Sequence, residues 1–235
     1  MLNSAMCGRK TLSRDIKSII EEMNIEEWQD SDLYQPRFNI APSQYSPVII
    51  DKVVRHAKLM RWGLIPNWAT DFSIGSKLIN ARSETLLQKP SFQNLVPSRR
   101  CVVISDGYFE WKRTSGKSIP YYIHHPENNL LPMAGLWDIW KKPNGENIFS
   151  YTVITTKPNP SIEEIHHRMP VILDAKSLDP WLKVHNTTIA DAIKVLKPYD
   201  KDLISYEVSR MVNSPKNNRP ECILPVNNSK NLSLF

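Results

Sequence analysis

One cysteine of this chain stands apart by its neighbours. Cys7 follows Met6 directly and precedes Gly8 and Arg9. If translation begins at Met6, removal of that methionine leaves Cys7 with an amine and a thiol on adjacent carbons. Reference pKa values of about 7.7–8.0 for the amine and about 8.5 for the thiol leave both partly deprotonated near neutrality. The amine can condense with an aldehyde to a Schiff base, and the thiol can then close on the imine as a thiazolidine. Arg9 adds a positive charge beside this nucleophile. The ordinary fate of a cysteine is a small buried hydrophobe. Cys101, in the apolar run Arg100 to Ser105, and Cys222 fit that description.

Three further segments could carry chemistry. In Ile165-His166-His167-Arg168-Met169-Pro170 either histidine can move protons near pH 7 and Arg168 can meet a phosphate; otherwise this is a charged surface loop. In Ser105-Asp106-Gly107-Tyr108-Phe109-Glu110-Trp111, a carboxylate set between two aromatic residues is poorly solvated if the strand is buried. Desolvation raises a carboxylate pKa and makes Glu110 a candidate general acid; the competing reading is a solvent-facing edge-strand glutamate. Trp62 and Trp68 near Arg61, with Asn80-Ala81-Arg82-Ser83-Glu84 downstream, suit base stacking and phosphate contact on single strands. The Asn39–Ser43 loop carries no signal of its own.

These groups need a scaffold. Ile16, Ile19, Ile20 and Met23 mark an amphipathic helix after a cap at Ser13, and Ile189, Ala192, Ile193 and Leu196 mark a second. Ser161 and Glu164 predict a capping box ahead of His166, and Lys89-Pro90-Ser91 separates two short helical pieces. Strands are predicted over Pro47–Val54, Ala57–Trp62, Arg100–Ser105, Pro120–His124, Pro132–Trp137, Phe149–Thr155 and Val171–Leu173. Asn144-Gly145 predicts a hairpin turn. Many strands and few helices without βαβ alternation predict an α+β domain around a mostly antiparallel sheet or open barrel with flanking helices.

Composition sets the outer limits. The 235 residues, 41% apolar and 23% charged, suit one medium domain with its own core. No apolar run approaches the roughly 18 residues of a membrane helix, and no stretch resembles a secretory signal. Three widely spaced cysteines form neither a disulfide framework nor a zinc pattern, which predicts a reducing, cytoplasmic setting. The net charge of +6 hints at an anionic partner. Seven Gly against 18 Pro reverses the usual balance of about 16 and 12 for this length.

Taken together, the segments resemble the SOS-response-associated peptidase (SRAP) family of abasic-site-processing proteins. The resemblance rests on Met6–Arg9, Phe38–Pro42, Trp62–Trp68, Asn80–Glu84, Gly107–Trp111 and His166–Pro170 in order, with a compatible Val208–Asn213. It implies a domain over residues 7–213, preceded by a leader, 1–6, absent from or removed in the mature protein, and followed by a C-terminal arm, 214–235. It implies a protein that senses abasic sites in single-stranded DNA and acts at the nucleoid; with no strong assembly motif in the sequence, a monomer is expected. The Cys7 amine would attack the C1′ aldehyde of the open-chain sugar and the thiol would close the thiazolidine. Glu110 would donate and accept protons for Schiff-base formation and resolution. His166 would assist ring opening, and Asn80 would hold the Cys7 terminus or the sugar. Arg9, Arg82 and Arg168 would bind phosphates. Pro42, Trp62, Trp68 and Trp111 would wedge or stack against bases, and Thr155 or Thr156 would donate to a phosphate. Weak AP-lyase and crosslink-reversal activity would accompany this, with no metal and no small-molecule cofactor. Met1 to Ala5 precede the expected start, as a mis-called start, an expression remnant or a self-cleaved leader; the first is favoured. His167 fills a motif position that is often acidic and could compete with His166. A cysteine-type (auto)peptidase using Cys7, Glu110 and His166, and a non-catalytic single-stranded DNA-binding module, are the alternatives.

Overall fold

The computed structural model describes residues 8–51 and 54–226. Cys7, the leader 1–6 and the end of the C-terminal arm lie outside the described residues. Among the described residues thirteen strands follow in chain order. They are β1 (Lys10–Leu12), β2 (Glu27–Trp28), β3 (Arg37–Ile40), β4 (Tyr45–Asp51), β5 (Arg55–Trp62), β6 (Asn80–Arg82), β7 (Arg100–Val103), β8 (Gly107–Thr114), β9 (Lys117–His124), β10 (Met133–Lys141), β11 (Asn147–Thr156), β12 (Met169–Pro170) and β13 (Ile204–Glu207). Three helices, α1 (Ile16–Met23), α2 (Leu178–Leu182) and α3 (Ile189–Lys194), flank them. The α+β class with mostly antiparallel pairing is therefore what the chain adopts.

The strands form two layers. One sheet runs β13-β9-β8-β1-β3, and the other runs β12-β11-β10-β7-β4-β5-β2. A parallel pairing of Ser150 and Tyr151 with Arg61 and Trp62 joins β11 back to β5. It closes β11, β10, β7, β4 and β5 into a ring. β6 adds in parallel to the far end of β11, with Asn80 opposite Val153 and Arg82 opposite Thr155. The main core fills the barrel and the space under the first sheet, where Leu12, Tyr108 and Ile123 meet barrel residues such as Val102 and Trp62. The outer face of the first sheet buries Phe109 and Tyr122 against Val208, Val212 and Cys222 from the C-terminal segment.

Local details depart from the sequence expectations in four places. The N-cap of α1 is Asp15, whose side chain accepts from Ser18 N; Ser13 turns away, its N–H and hydroxyl donating to Asp106 Oδ2 at 2.6 and 2.7 Å. Ser161 caps no helix, because Asn159 O takes the turn's first N–H groups and Ser161 Oγ donates to Asp202 Oδ1. Around Lys89-Pro90-Ser91 the chain makes successive single turns. The strand expected at Val171–Leu173 is one bridge, Ile172 to Met133, beside the shorter β12. The Asn144-Gly145 hairpin forms between β10 and β11, with Gly145 at φ +88°, a value glycine adopts at no steric cost.

Candidate active site

β1 lies between β3 and β8, with Lys10 opposite Tyr108 and Phe109 N donating to Arg9 O at 3.0 Å. This register runs the Gly8–Arg9 backbone beside the Phe109–Glu110 step of β8. Side chains alternate along β8. Phe109 and Trp111 face the C-terminal segment, whereas Tyr108 joins the main core. Glu110, 2% exposed, shares the Tyr108 face. The carboxylate is thus buried and not solvent-facing, though not by its two aromatic neighbours, whose rings lie on the opposite side of the sheet.

Its companion comes from 56 residues later. His166 Nδ1 lies 3.8 Å from Glu110 Oε1. A turn from Asn159 places it, with His166 N donating to Ile162 O at 3.0 Å. Nδ1 is also 3.2 Å from both N and O of Arg168. Burial pushes the His166 pKa below its usual value, and His167, Arg113 and Arg168 add to that, against the backbone contact to Arg168. A group of this kind is neutral at pH 7 and able to take a proton. His167 stands exposed, its ring centroid 4.4 Å from that of His166.

The cations are less alike than their residue type suggests. Arg82 is exposed at the end of β6. Arg9 is held, its Nη1 donating to Asn39 Oδ1 at 2.8 Å and Val212 O at 2.6 Å with the guanidinium 5.9 Å from the Trp111 ring. Burial lowers its pKa. Arg168 is 8% exposed and grips Glu84 through two bonds of 2.5 and 2.9 Å, while Nη2 also reaches Thr155 O at 2.6 Å. That arrangement makes Arg168 a clamp between β6 and β11–β12 rather than an open phosphate ligand. Arg168 in turn holds the Glu84 pKa down, against desolvation. Thr155 and Thr156 are buried, and Thr155 Oγ1 donates to Ala81 O at 3.4 Å. They stiffen the wall instead of presenting hydroxyls outward.

The two tryptophans of one motif part company. Trp62 is 1% exposed, stacks on Tyr151 at 6.3 Å and donates its indole N–H to Ile79 O at 2.9 Å. As placed, it is a core residue and offers no face to a base. Trp68 is 57% exposed. Trp111 is half-buried and donates to Asn213 Oδ1 at 2.8 Å. Pro42 is half-buried ahead of Ser43, whose φ is +73°. Asn80, half-buried, heads β6. Two supporting residues escaped the sequence reading although both lie inside its motifs. Glu84 holds Arg168. Asn39, fully buried, accepts from Arg9 and donates to the carbonyls of Val212, Ser214 and Asn217. A buried asparagine in a strand was the available signal. Among the described residues no group of three or more His, Cys, Asp or Glu could hold a metal ion, and no helix is long and apolar enough to cross a membrane.

The family model described as SOS response associated peptidase (SRAP) matches residues 6–215. The chain belongs to this family. It is 46% identical over 221 residues to the abasic site processing protein YoqW of Bacillus subtilis, covering 93% of this chain and 99% of that one. It is 42% identical to the abasic site processing protein YoaM of the same organism over 93% of this chain and 97% of that one. It is 36% identical to the abasic site processing protein HMCES of Xenopus tropicalis over 84% of this chain and 68% of that one. Among solved structures, a Bacteroides thetaiotaomicron protein matches with TM-score 0.84 at 26% identity, covering 94% of this chain and all of that one. The SRAP fold therefore spans both sheets described above.

Proposed function

We propose that this SRAP protein senses abasic sites in single-stranded DNA and traps them as a thiazolidine crosslink through Cys7. The observation that carries the reading is the buried Glu110 carboxylate 3.8 Å from a burial-depressed His166, on the strand beside which the Gly8–Arg9 backbone is laid. An acid and a base at one place are what imine chemistry on a sugar needs.

The reaction balances as follows. His166 takes a proton from the sugar O1′–H as the C1′–O4′ bond breaks, and the protonated His166 returns a proton to O4′, which leaves the open aldehyde and a 4′-hydroxyl. The Cys7 amine adds to C1′. Glu110 protonates the resulting hydroxyl, which leaves as water and gives the imine. The Cys7 thiolate adds to the same carbon, the imine nitrogen takes up a proton, and the ring closes with net loss of one water. The imine also acidifies the C2′ proton, so loss of that proton and of the 3′ phosphate gives a slow lyase reaction. Arg82 and the Arg9 region supply positive field for phosphates, and Trp68 and Pro42 take the stacking and wedging roles. Residues 7–213 act as the domain, as a monomer, with the arm from 214 packed on it. The proposal requires a chain that begins at Cys7, because an acylated Cys7 nitrogen cannot form the ring.

The test is a denaturing gel of the protein, its mature mass checked, with single-stranded oligonucleotides that do or do not hold an abasic site. The expected result is a shifted band that needs both the abasic site and Cys7. A protein beginning at Cys7 that gives no covalent band would overturn the proposal. A fully active sample that retains Met1 or Ala5 would do so as well.

A further inference from the structure

Two large aromatic side chains stand exposed beside one buried cation. Tyr45 at the start of β4 is 51% exposed and Phe72 is 40% exposed, while Arg61 between them is 7% exposed. Tyr45 and Arg61 are directly opposed in the β4–β5 ladder. The Arg61 guanidinium carbon lies 4.5 Å from the centroid of the Phe72 ring. Arg61 is fixed there, with Nη1 donating to Gly63 O at 3.1 Å and Nη2 to Ser43 Oγ at 2.8 Å. Phe72 also rests on Trp140, ring centroids 6.0 Å apart, and Trp140 Nε1 donates to Ala69 O.

Glycine makes this packing possible. A Cβ on Gly63 or on Gly75 would run into the other's carbonyl oxygen and crowd Arg61 Nη1, and Gly63 sits at φ +111°. Two of the seven glycines therefore hold the Phe72 turn against Arg61. The strip adjoins Pro42, the wedge of the proposal above, since Arg61 bonds Ser43, the next residue. Beyond Tyr45 it opens into a groove of about 510 Å³ lined by Arg37, Gln44, Leu59 and Asn218 among others. Neither Tyr45 nor Phe72 has a part in the chemistry at Glu110.

We propose that Tyr45, Arg61 and Phe72 form a strand-binding track that carries nucleotides flanking the lesion. Tyr45 and Phe72 each offer a ring to a base, and Arg61 and Arg37 provide the positive field. Fixed rings interleaved with cations are how proteins hold single strands without reading sequence. Rings already held in place lose little freedom on binding. The charge complementarity and the continuity with Pro42 commit the surface to single-stranded DNA. The inference rests on the DNA reading above.

Fluorescence anisotropy on the whole chain tests it, with labelled oligonucleotides of about 3 and about 20 nucleotides, shorter and longer than one typical site of about 4–16. They hold no abasic site, so covalent chemistry is silent. Tyr45→Ala and Phe72→Ala are each expected to weaken the longer oligonucleotide about fivefold or more, the loss of one stacked base. The shorter one should change by less than about twofold. Tyr45→Phe and Phe72→Trp keep a ring and should bind as the parent does, which separates a lost ring from a lost fold. Alanine variants that bind the longer strand like the parent overturn the track, as do ring-keeping variants that lose as much as the alanine ones. If the parent crosslinks abasic DNA while the alanine variants bind normally, only the track falls. If the parent binds neither oligonucleotide, the track falls, while the DNA reading stands or falls by the covalent band on the gel.

Discussion

Lys10 carries its amine into the interior at 1% exposure, with one bond from Nζ to Ile104 O at 2.8 Å. Burial pushes its pKa down to about 7, opposed by Asp106 and assisted by Arg37. Between pH 7 and about 10.4 the unfolded chain binds this proton and the folded one does not, so stability rises with pH across that window. Below pH 7 both states are protonated and the burial cost is fully present. Lys10→Met is therefore expected to be more stable than the parent at pH 7, with the gap narrowing by roughly 2–4 kcal/mol towards pH 10. Thermal melts of both proteins over that range check it; a constant gap would count against it. At the site, Glu110→Gln keeps the shape and removes the titrating proton. It is expected to slow crosslinking about 10²–10⁴-fold, read as the rate of band formation on the gel. His166 carries the opposite linkage to a salt-bridged histidine. Its depressed pKa costs stability as pH falls below about 6.5. At this scale the residue types were legible and their orientation was not. Trp62 and Trp68 share one motif, yet the strand that ends at Trp62 turns its ring inward, and spacing alone says nothing of which face a ring takes.

Elements explain why Glu110 and His166 meet. β11 is flanked at its far end by β6 and β12, and the Arg168–Glu84 clamp ties all three beside Thr155. Glu84 is partly exposed, which discounts the pair. Glu84→Gln is expected to cost about 1 kcal/mol in chemical denaturation and to loosen the turn that holds His166. A second joint is Gly107, where a Cβ would collide with the Tyr122 ring. Tyr122 belongs to a network with Thr11 and Asp106 that anchors β1. Gly107→Ala should cost about 1–3 kcal/mol as overpacking, seen as a lower denaturant midpoint with an unchanged slope. The strand runs of β4, β5, β9, β10 and β11 and the α1 pattern were legible because period-2 and 3.6-residue apolar spacing is local. The clamp was not, since its partners are 84 residues apart and no local pattern records a contact at that distance.

On the scale of the whole molecule, the barrel closes through only two parallel pairs between β5 and β11, and a helix braces it from outside. Arg100, 1% exposed on β7, donates to the carbonyls of Val96, Trp181 and Lys183. Arg100→Met keeps most of the volume and strands three acceptors. It is expected to lower stability by about 2–4 kcal/mol, measured by thermal unfolding. The α+β class was legible from the absence of βαβ alternation. Ring closure was not, because a two-residue parallel pairing leaves no sequence pattern. The position of β1 has a consequence in time as well as in space. It precedes the other described strands in the chain, yet its neighbours in the sheet are β3 and, almost a hundred residues later, β8. Pairing across such a separation comes late in folding. A growing chain thus contains β1 long before β8, which carries Glu110, and the turn of His166 exist to flank it. The Glu110–His166 pair is complete only after the turn that holds His166 has been made, so an incomplete product lacks that pair.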